Sequence, residues 1–410
     1  MITTTTARRI IEEKIPAPGT ESVPLTESSG RILAREIKAP FPMPRFTNSA
    51  MDGFAVRAVD TADATNDSPV RLALVGSVPA GSPAEFTIET GACAQCMTGA
   101  PLPVGADAVV MVENTSGFKA GKEVAIFKPV TAGQNVRRQG EEIRAGERLL
   151  LPGQKIGPAE MGVMATFGIG SVPVYRQPRI TLYATGDELV EPGQPLKPGK
   201  IYNSNLYLLA DLIRKVGAKV ALQAVIRDDP TELKSFLTGA LETSDIIISS
   251  GGISMGKYDY VRRVLLDLEV EQHFWKVAQK PGKPLFFGTA GETLIFGLPG
   301  NPISLFIGFM EYIWPTIEQG MGARTGDLIE ATLTETFPRE PKKVRFLFGK
   351  ARIENGKIYC APAAKRGSHM LTSALEANCI LRAEPGDSPL QPGDTVFIRL
   401  LPWKTIKSCS

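Results

Sequence analysis

Residues 178–188, PRITLYATGDE, set a short apolar run directly before a glycine and two carboxylates. Further apolar runs of strand length lie at 220–226, 246–249, 285–288 and 293–296, and helical patterns lie at 204–216, 230–241, 258–268 and 302 to about 319. Strand and helix therefore alternate over roughly 145 residues. This alternation predicts an α/β domain near 178–325, built on a doubly wound, mainly parallel sheet.

Most of the polar motifs in this region follow strands. They are TGDE (185–188), RDD (227–229), SSGGIS (249–254) and GLPGN (297–301), while KPGKP (280–284) precedes a strand. Ligands of open α/β sheets bind outside the carboxyl ends of the strands, so these loops are expected to converge on one pocket. Glycines admit backbone N–H groups close to an anion, and Asn301 followed by Pro302 is a favourable helix start. The pattern favours a phosphate site, with a plain strand-to-helix turn at 297–302 as the alternative.

Acidic residues accumulate at the same predicted edge. They are Asp187, Glu188, Asp228, Asp229 and Asp259. Uncompensated carboxylates would repel one another, so a hard cation such as Mg²⁺ is expected beside them. Lysines at 276, 280 and 283 could balance the charge near an oxyanion. Taken singly, the 187–188 and 228–229 pairs could also be solvated turn carboxylates.

The run GGISMGK (251–257) matches a P-loop as far as its lysine. Tyr258 stands where a P-loop needs Ser or Thr for magnesium, and no downstream carboxylate strand is evident. A P-loop NTPase is therefore disfavoured.

The rest of the chain has β texture, with strands expected at 70–75, 108–112 and 124–127. We expect a β-rich lobe at 51–135 and a C-terminal β-barrel at 326–410, with Asn355-Gly356 as a hairpin turn. Residues 1–50 and 136–177 should form an N-terminal helix and a linking subdomain. Within them, residues 28–36 are predicted to be helical.

Composition narrows the possible partners. The 410 residues are 43% hydrophobic with a net charge of +3, which gives no reason to expect nucleic acid or an anionic membrane surface. The N-terminus lacks the apolar core of a signal peptide, and five cysteines suit a reducing cytoplasm. Cys93 and Cys96 have CxxC spacing, but without a second ligand pair they are expected to be packing residues.

Six motifs in order carry a family resemblance. They are NSAMDGFA (48–55), MTGAP (97–101), TGDEL (185–189), SGGIS (250–254), KPGKP (280–284) and GLPGNP (297–302). They resemble the molybdopterin molybdenumtransferases, a family that includes the C-terminal domain of gephyrin. The likeness extends from about residue 5 to the C-terminus.

The resemblance implies an elongated homodimer that converts adenylyl-molybdopterin and molybdate into molybdenum cofactor, AMP and water. Contact with the molybdopterin adenylyltransferase that supplies the substrate is also expected. The implied metal ligands for Mg²⁺ are Asp187, Glu188, Asp228 and Asp259. The implied catalytic residues are Asp52, Thr98, Glu188, Asp228 and Asp259, with Asp52 and Thr98 facing the pocket of the other subunit. The implied substrate-binding residues are Arg137, Ser250, Gly251, Gly252, Ser254, Lys276, Lys280, Lys283, Pro299, Asn301 and Pro302.

Three alternatives stay open at this point. The chain could be a non-catalytic scaffold on the same fold, although a scaffold would not need the intact carboxylate and lysine set. It could insert tungstate, because both oxyanions are tetrahedral dianions of similar size. An adenylyltransferase is disfavoured, because that fold resembles only the α/β domain.

Overall fold

The computed structural model describes residues 1–82, 85–119, 121–253, 260–323, 326, 328–365, 367 and 369–409. The chain divides into two compact units. The first comprises Met1–Ala34, Gly153–Gly157 and Ser171–Ser410, and the second comprises Arg35–Pro152 and Pro158–Gly170. None of the described helices is long and apolar enough to cross a membrane.

A six-stranded sheet forms the centre of the first unit. Its elements, in chain order, are β1 (Arg179–Thr185), α1 (Asn205–Val216), β2 (Lys219–Ile226), α2 (Pro230–Thr243), β3 (Ile246–Ser250), α3 (Tyr260–Asp267), β4 (Glu271–Lys276), β5 (Pro284–Ala290), β6 (Thr293–Leu298), α4 (Pro302–Gly308), a π-helical turn (Phe309–Ile313) and α5 (Trp314–Gly320). The strand order is β2-β1-β3-β6-β5-β4. The first four strands are parallel, whereas β5 is antiparallel to both of its neighbours. The predicted α/β domain is confirmed.

The sequence of each element explains its place in the sheet. The residues of β3 are all buried, as expected for a parallel strand covered on both faces. Helix α1 buries one apolar face and ends at Gly217, whose φ of 92° is left-handed. Helix α2 begins at Asp229, whose carboxylate accepts the backbone N–H groups of Thr231 and Glu232, with Pro230 at the first turn. These bonds hold the pKa of Asp229 below its usual value. Asp229 is therefore the N-cap of α2, a role that the sequence analysis had not assigned to it.

The N-terminal part of this unit is a helix and a two-stranded sheet. The helix Thr4–Glu12 buries Ala7 and Ile11, and the strands Thr20–Pro24 and Ser171–Tyr175 are antiparallel. The predicted helix at 28–36 is wrong. Ile32 and Leu33 form isolated bridges with Lys155 and Val174 instead, because pairing with these segments buries both apolar side chains.

The C-terminal part is the predicted barrel. Its strands are Ile329–Leu333, Val344–Glu354, Lys357–Pro362, Cys379–Ala383 and Thr395–Leu400. Pairing of Val344–Glu354 with both Lys357–Pro362 and Cys379–Ala383 closes the ring. The predicted turn at Asn355-Gly356 is confirmed, since both residues have positive φ and Glu354 pairs with Lys357. Two short strands, Gln279–Lys280 and Lys407–Cys409, add to Val344–Glu354 in parallel.

Among its described residues, the second unit contains a five-stranded sheet and one α-helix. The strands in spatial order are Ala108–Met111, Gly53–Val56, Ala92–Cys96, Val70–Val78 and Glu123–Ile126, and the helix is Pro158–Thr166. Cys93 and Cys96 are buried here, and burial raises the pKa of their thiols to about 12 and about 11. They are free thiols in the core, as predicted.

Short elements complete the fold. They are the strand pairs Ile37–Lys38 with Arg148–Leu150, Asn48–Ser49 with Val136–Arg137 and Leu189–Val190 with Ile201–Tyr202, and the 3₁₀ turns Leu25–Glu27, Ala58–Thr61, Val112–Asn114 and Leu371–Ala374.

Candidate active site

The carboxyl ends of β1, β3 and β6 lie side by side. Ala184 pairs with Ser250, and Ser250 pairs with Leu298. The Gly251 N–H donates to the Leu298 carbonyl at 2.9 Å, so the SGGIS and GLPGN loops leave the sheet together. Two of the loops expected to converge on one pocket therefore lie together at this sheet edge, whereas the KPGKP loop lines a separate pocket with barrel residues.

Asn205, at the start of α1, connects the same loops and was not among the predicted residues. Its Nδ2 donates to Ser250 Oγ at 2.9 Å and to the Gly300 carbonyl at 2.7 Å. Its buried Oδ1 has no hydrogen-bond partner among the described residues. The sequence signal that could have identified Asn205 is an asparagine at a helix start, directly after a short strand. One amide thus holds Ser250 against the loop that carries Pro299.

Gly252 occupies a position that no side chain could fill. Its φ is +67°, and a Cβ there would lie 2.3 Å from Val261 Cγ2 and 2.8 Å from Thr185 Oγ1. This glycine therefore permits close packing of α3 and β1 against the loop. Gly251, with φ of +93°, is next to it. Ser254, a predicted substrate contact, lies outside the described residues.

Two of the predicted metal ligands are adjacent. The Asp228 N–H donates to Asp187 Oδ1 at 3.4 Å, and Lys200 Nζ donates to the Asp187 carbonyl at 2.6 Å. The Glu188 carboxylate folds back over Gly186, where a Cβ would lie 2.6 Å from Glu188 Oε2.

Asp259, the fourth predicted ligand, is outside the described residues. The described part of the chain holds no group of three or more His, Cys, Asp or Glu side chains gathered to bind a metal. The ligand atoms at this edge are nevertheless of the kind that a hard cation prefers, because the side chains of Asp187, Glu188 and Asp228 offer only carboxylate oxygens.

Lys276 lies at the end of β4 and is paired in register with Pro284. Its Nζ is 4.1 Å from the centre of the Trp275 ring, and Arg262 Cζ is 4.4 Å from the same centre. Trp275 Nε1 donates to the Ile253 carbonyl at 2.9 Å. The indole therefore joins Lys276 to the SGGIS loop, a connection that no spacing in the sequence indicated.

Lys280 and Lys283 line a pocket of about 480 Å³ between the α/β domain and the barrel. Lys276 does not line it, so two of the three predicted lysines contribute to this pocket. The other basic side chains of the pocket are Lys343, Arg345 and Lys365, the hydroxyls are Ser304 and Ser373, and the apolar lining includes Ile303, Ile307, Phe346 and Phe348. The barrel residues among these were not predicted.

Glu340 partly neutralises this pocket. Its Oε1 accepts hydrogen bonds from Lys280 Nζ at 2.6 Å and from Arg345 at 2.9 Å. The bond from Lys280 is the main cause that holds the pKa of Glu340 below its usual value. The remaining lysines leave the pocket with an excess of positive charge.

The last predicted motif, GLPGNP, ends β6 and starts α4. Pro299 is buried, and Asn301 occupies the N-cap position with Pro302 in the first turn. The Asn301 side chain makes no capping hydrogen bond to the helix, so only its predicted position is confirmed.

The second unit gathers the remaining predicted residues. Asp52 Oδ1 accepts the Thr98 backbone N–H at 2.7 Å and the Thr98 hydroxyl at 2.8 Å. These two bonds hold the pKa of Asp52 below its usual value. Asn48 pairs with Arg137 on one side and with Pro101 on the other. The motifs NSAMDGFA and MTGAP and Arg137 are thus neighbours in this unit.

Comparisons with known proteins give the family. Three family profiles match in succession: the MoeA N-terminal region (domain I and II) at residues 2–168, a "probable molybdopterin binding domain" at 181–319 and the MoeA C-terminal region (domain IV) at 330–401. A molybdopterin molybdenumtransferase from Nostoc is 34% identical over 93% of this chain and 89% of its own. Molybdopterin molybdenumtransferase 2 from Mycobacterium tuberculosis is 40% identical over 91% of this chain and 93% of its own.

The fold agrees with these sequence matches. A crystal structure of the molybdopterin biosynthesis protein MoeA from Pyrococcus horikoshii aligns with a TM-score of 0.84 and 32% identity, covering 98% of this chain and 99% of the other. The chain belongs to the molybdopterin molybdenumtransferase family.

Proposed function

We propose that this chain is a transferase that inserts molybdenum into molybdopterin during molybdenum cofactor biosynthesis, taking adenylyl-molybdopterin and molybdate and releasing AMP. Membership of the molybdenumtransferase family supports the reaction class. The observation that carries the proposal is the basic pocket beside the KPGKP loop, where Lys280 and Lys283 meet cations of the barrel. A tetrahedral dianion needs this combination of positive charge and hydrogen-bond donors.

The adenylyl phosphate is assigned to the carboxyl edge of the sheet. The Gly251 N–H is occupied by the Leu298 carbonyl, so the backbone donors assigned to the phosphate are the Gly252 N–H and the N–H groups that follow Pro302 in the first turn of α4. Asn205 orients Ser250 toward this edge through its hydrogen bond. Lys276, held over Trp275, is connected to the SGGIS loop through the hydrogen bond from Trp275 to the Ile253 carbonyl.

Asp187, Glu188 and Asp228 would hold Mg²⁺, which when bound would offset negative charge on the phosphate of the leaving AMP. The protein's part is to place these carboxylates. The Asp228 N–H holds Asp187, and the bend at Gly186 returns Glu188 toward the same strand end. Asp259 is assigned to the same set from its sequence position.

A direct assay tests the reaction. The purified chain is incubated with adenylyl-molybdopterin and Mg²⁺, with molybdate or tungstate in parallel, and AMP and metallated pterin are measured. We expect AMP and molybdenum-loaded pterin to form together and only when oxyanion is present. A scaffold would release no AMP, and a tungstate-specific enzyme would respond only to tungstate.

Replacing Lys280 with alanine should raise the molybdate concentration for half-maximal insertion by about tenfold, because one charge-assisted contact is lost. Circular dichroism should show an unchanged fold. Lys350→Ala is the matched control, since this exposed barrel lysine also pairs with a glutamate, Glu376, but does not line the pocket. Unchanged half-saturation in both Lys280→Ala and Lys276→Ala would place the oxyanion elsewhere.

We further propose a homodimer, as the family resemblance implies. The edge strand β2 leaves Leu222 and Val225 exposed at 44% and 40%, which is apolar surface that an assembly could cover. Multi-angle light scattering on the purified chain should give twice the chain mass across micromolar concentrations. A monomer mass throughout that range would contradict the dimer.

A further inference from the structure

Gln279 fills the inside of the loop that carries Lys280 and Lys283. Its side chain is fully buried, at 0% exposure. Its Nε2 donates to the carbonyls of Pro281 at 3.2 Å and of Gly282 at 3.1 Å. The Val277 N–H closes the loop on the Lys283 carbonyl at 3.0 Å. A single amide group therefore satisfies the inward carbonyls of the KPGKP turn.

The loop is wrapped tightly around this amide. A Cβ on Gly282 would lie 2.9 Å from Gln279 Nε2 and 3.2 Å from the Ser304 carbonyl. The backbone of Gln279 and Lys280 is also paired in parallel with Val344 and Arg345 of the barrel. The position of the amide consequently determines where Pro281 and Gly282, and so the neighbouring lysines, can lie.

Tyr312 determines the position of the amide. Its hydroxyl donates to Gln279 Oε1, and the tyrosine is only 2% exposed. The two carbonyls fix which end of the amide faces them, because only the amide nitrogen can donate to them, and the amide oxygen is left to accept from the Tyr312 hydroxyl. A reversed amide would point an oxygen at two carbonyl oxygens.

Tyr312 lies in the π-helical turn Phe309–Ile313, which interrupts the last helix of the α/β domain. The preceding residue, Glu311, is 1% exposed and accepts hydrogen bonds from Arg8 of the N-terminal helix and from Arg399 of the barrel. The turn is thus anchored from two further elements. π-Helical turns inside α-helices occur frequently at functional sites.

We propose that Tyr312 and Gln279 are positioning residues, which hold the Lys280–Lys283 loop in the conformation that binds a tetrahedral oxyanion. The Tyr312 hydroxyl holds the Gln279 amide, and this amide in turn holds the Pro281 and Gly282 carbonyls. Tyr312 does not line the pocket. Gln279 does, but its amide groups are engaged by the Pro281 and Gly282 carbonyls and by the Tyr312 hydroxyl. Both residues act through the lysines, so their effect is on oxyanion affinity. This role depends on the proposed oxyanion pocket.

Equilibrium dialysis with molybdate tests the role without any turnover. Tyr312→Phe removes only the hydroxyl and leaves the buried Gln279 oxygen without its donor, an imbalance that should weaken molybdate binding by about fivefold. Tyr183→Phe is the matched control, because Tyr183 is a fully buried tyrosine of the same domain outside the loop. It should bind molybdate like the wild type.

A double-variant cycle separates positioning from general stability. In the Lys280→Ala background, Tyr312→Phe should weaken binding by less than about twofold, because the main lysine that it positions is gone. The same fivefold factor in both backgrounds, or no effect of Tyr312→Phe in the wild type, would overturn the positioning role. An unchanged affinity of Lys280→Ala itself would instead remove the oxyanion pocket from the proposed function.

If Tyr312→Phe does not fold, Gln279→Glu provides a second route. The glutamate keeps the acceptor for Tyr312 but loses the amide donor to Pro281 and Gly282. We expect molybdate affinity to fall at least as much as in Tyr312→Phe. Wild-type affinity in Gln279→Glu would overturn the proposal.

Discussion

Replacing Asp228 with asparagine should slow AMP release from adenylyl-molybdopterin by about 10²-fold at saturating oxyanion, by analogy with the loss of other preorganised electrostatic groups. The substitution keeps the side-chain shape and the Asp228 backbone N–H that Asp187 accepts. It removes one of the negative charges that the proposed Mg²⁺ site requires. Initial rates of AMP release across a Mg²⁺ titration measure the effect, and Mg²⁺ affinity by calorimetry should fall with the rate.

The neighbouring carboxylate provides the control. Asp229 caps α2 through the N–H groups of Thr231 and Glu232, and asparagine is as good an N-cap as aspartate. Asp229→Asn should therefore fold normally and release AMP at close to the wild-type rate. Equal rates of AMP release in Asp228→Asn and wild type, or AMP release at the full rate in EDTA, would show that the reaction does not require the cation.

The α/β domain could be predicted because its pattern is local. Apolar runs such as β3 are buried on both faces, so hydrophobicity alone identifies them. Strand β4, Glu271–Lys276, was missed because it is an edge strand whose sequence, EQHFWK, is neither a continuous apolar run nor a regular alternation of apolar and polar residues. The helix expected at 28–36 failed for a related reason. Its apolar residues pair with distant segments at Lys155 and Val174, and a helical period cannot reveal such partners.

The residues of the candidate site also differ in whether local sequence patterns could locate them. Loops that follow parallel strands could be placed at one edge, since topology brings the carboxyl ends together. The barrel cations Lys343, Arg345 and Lys365 could not be found this way. They line the same pocket as Lys280, and this side of the barrel lies beside the loop because Gln279–Lys280 pairs with Val344 and Arg345, residues far away in sequence. Asn205 and Trp275 likewise connect distant segments, Asn205 through two hydrogen bonds and Trp275 through one.

The structure is also needed to explain why glycine is required at particular positions of the motifs. In the sequence, the glycines of the strand-end loops suggested close approach of backbone to an anion. At Gly252 the structure shows that packing against Val261 and Thr185 by itself excludes a side chain. Gly53, in the NSAMDGFA motif, is likewise explained by packing. It lies in a strand between Cys96 and Met111, next to the neighbouring backbone.

Gly53→Ala should therefore be the most destabilising small substitution in the second unit. A Cβ at this position would lie 1.9 Å from the Val110 carbonyl oxygen and 3.1 Å from Met111 Cα. Backbone in the middle of a sheet cannot turn aside as a flexible side chain can, so the strand Ala108–Met111 would have to shift and give up ladder hydrogen bonds. We expect a loss of about 3 kcal/mol in the free energy of unfolding, at the upper end of the usual cost of overpacking.

Urea unfolding followed by circular dichroism measures this loss, with Gly162→Ala as the matched control. Gly162 lies within the helix Pro158–Thr166 of the same unit, and its Cβ would meet nothing within 4 Å. Alanine is the better helix former by about 0.5–1 kcal/mol, so this variant should be slightly more stable than the wild type. The same added methyl group thus has opposite effects at the two glycines if close backbone approach is what Gly53 permits. An unfolding free energy for Gly53→Ala within about 1 kcal/mol of the wild type, below the usual range for overpacking, would show that the sheet can absorb the side chain.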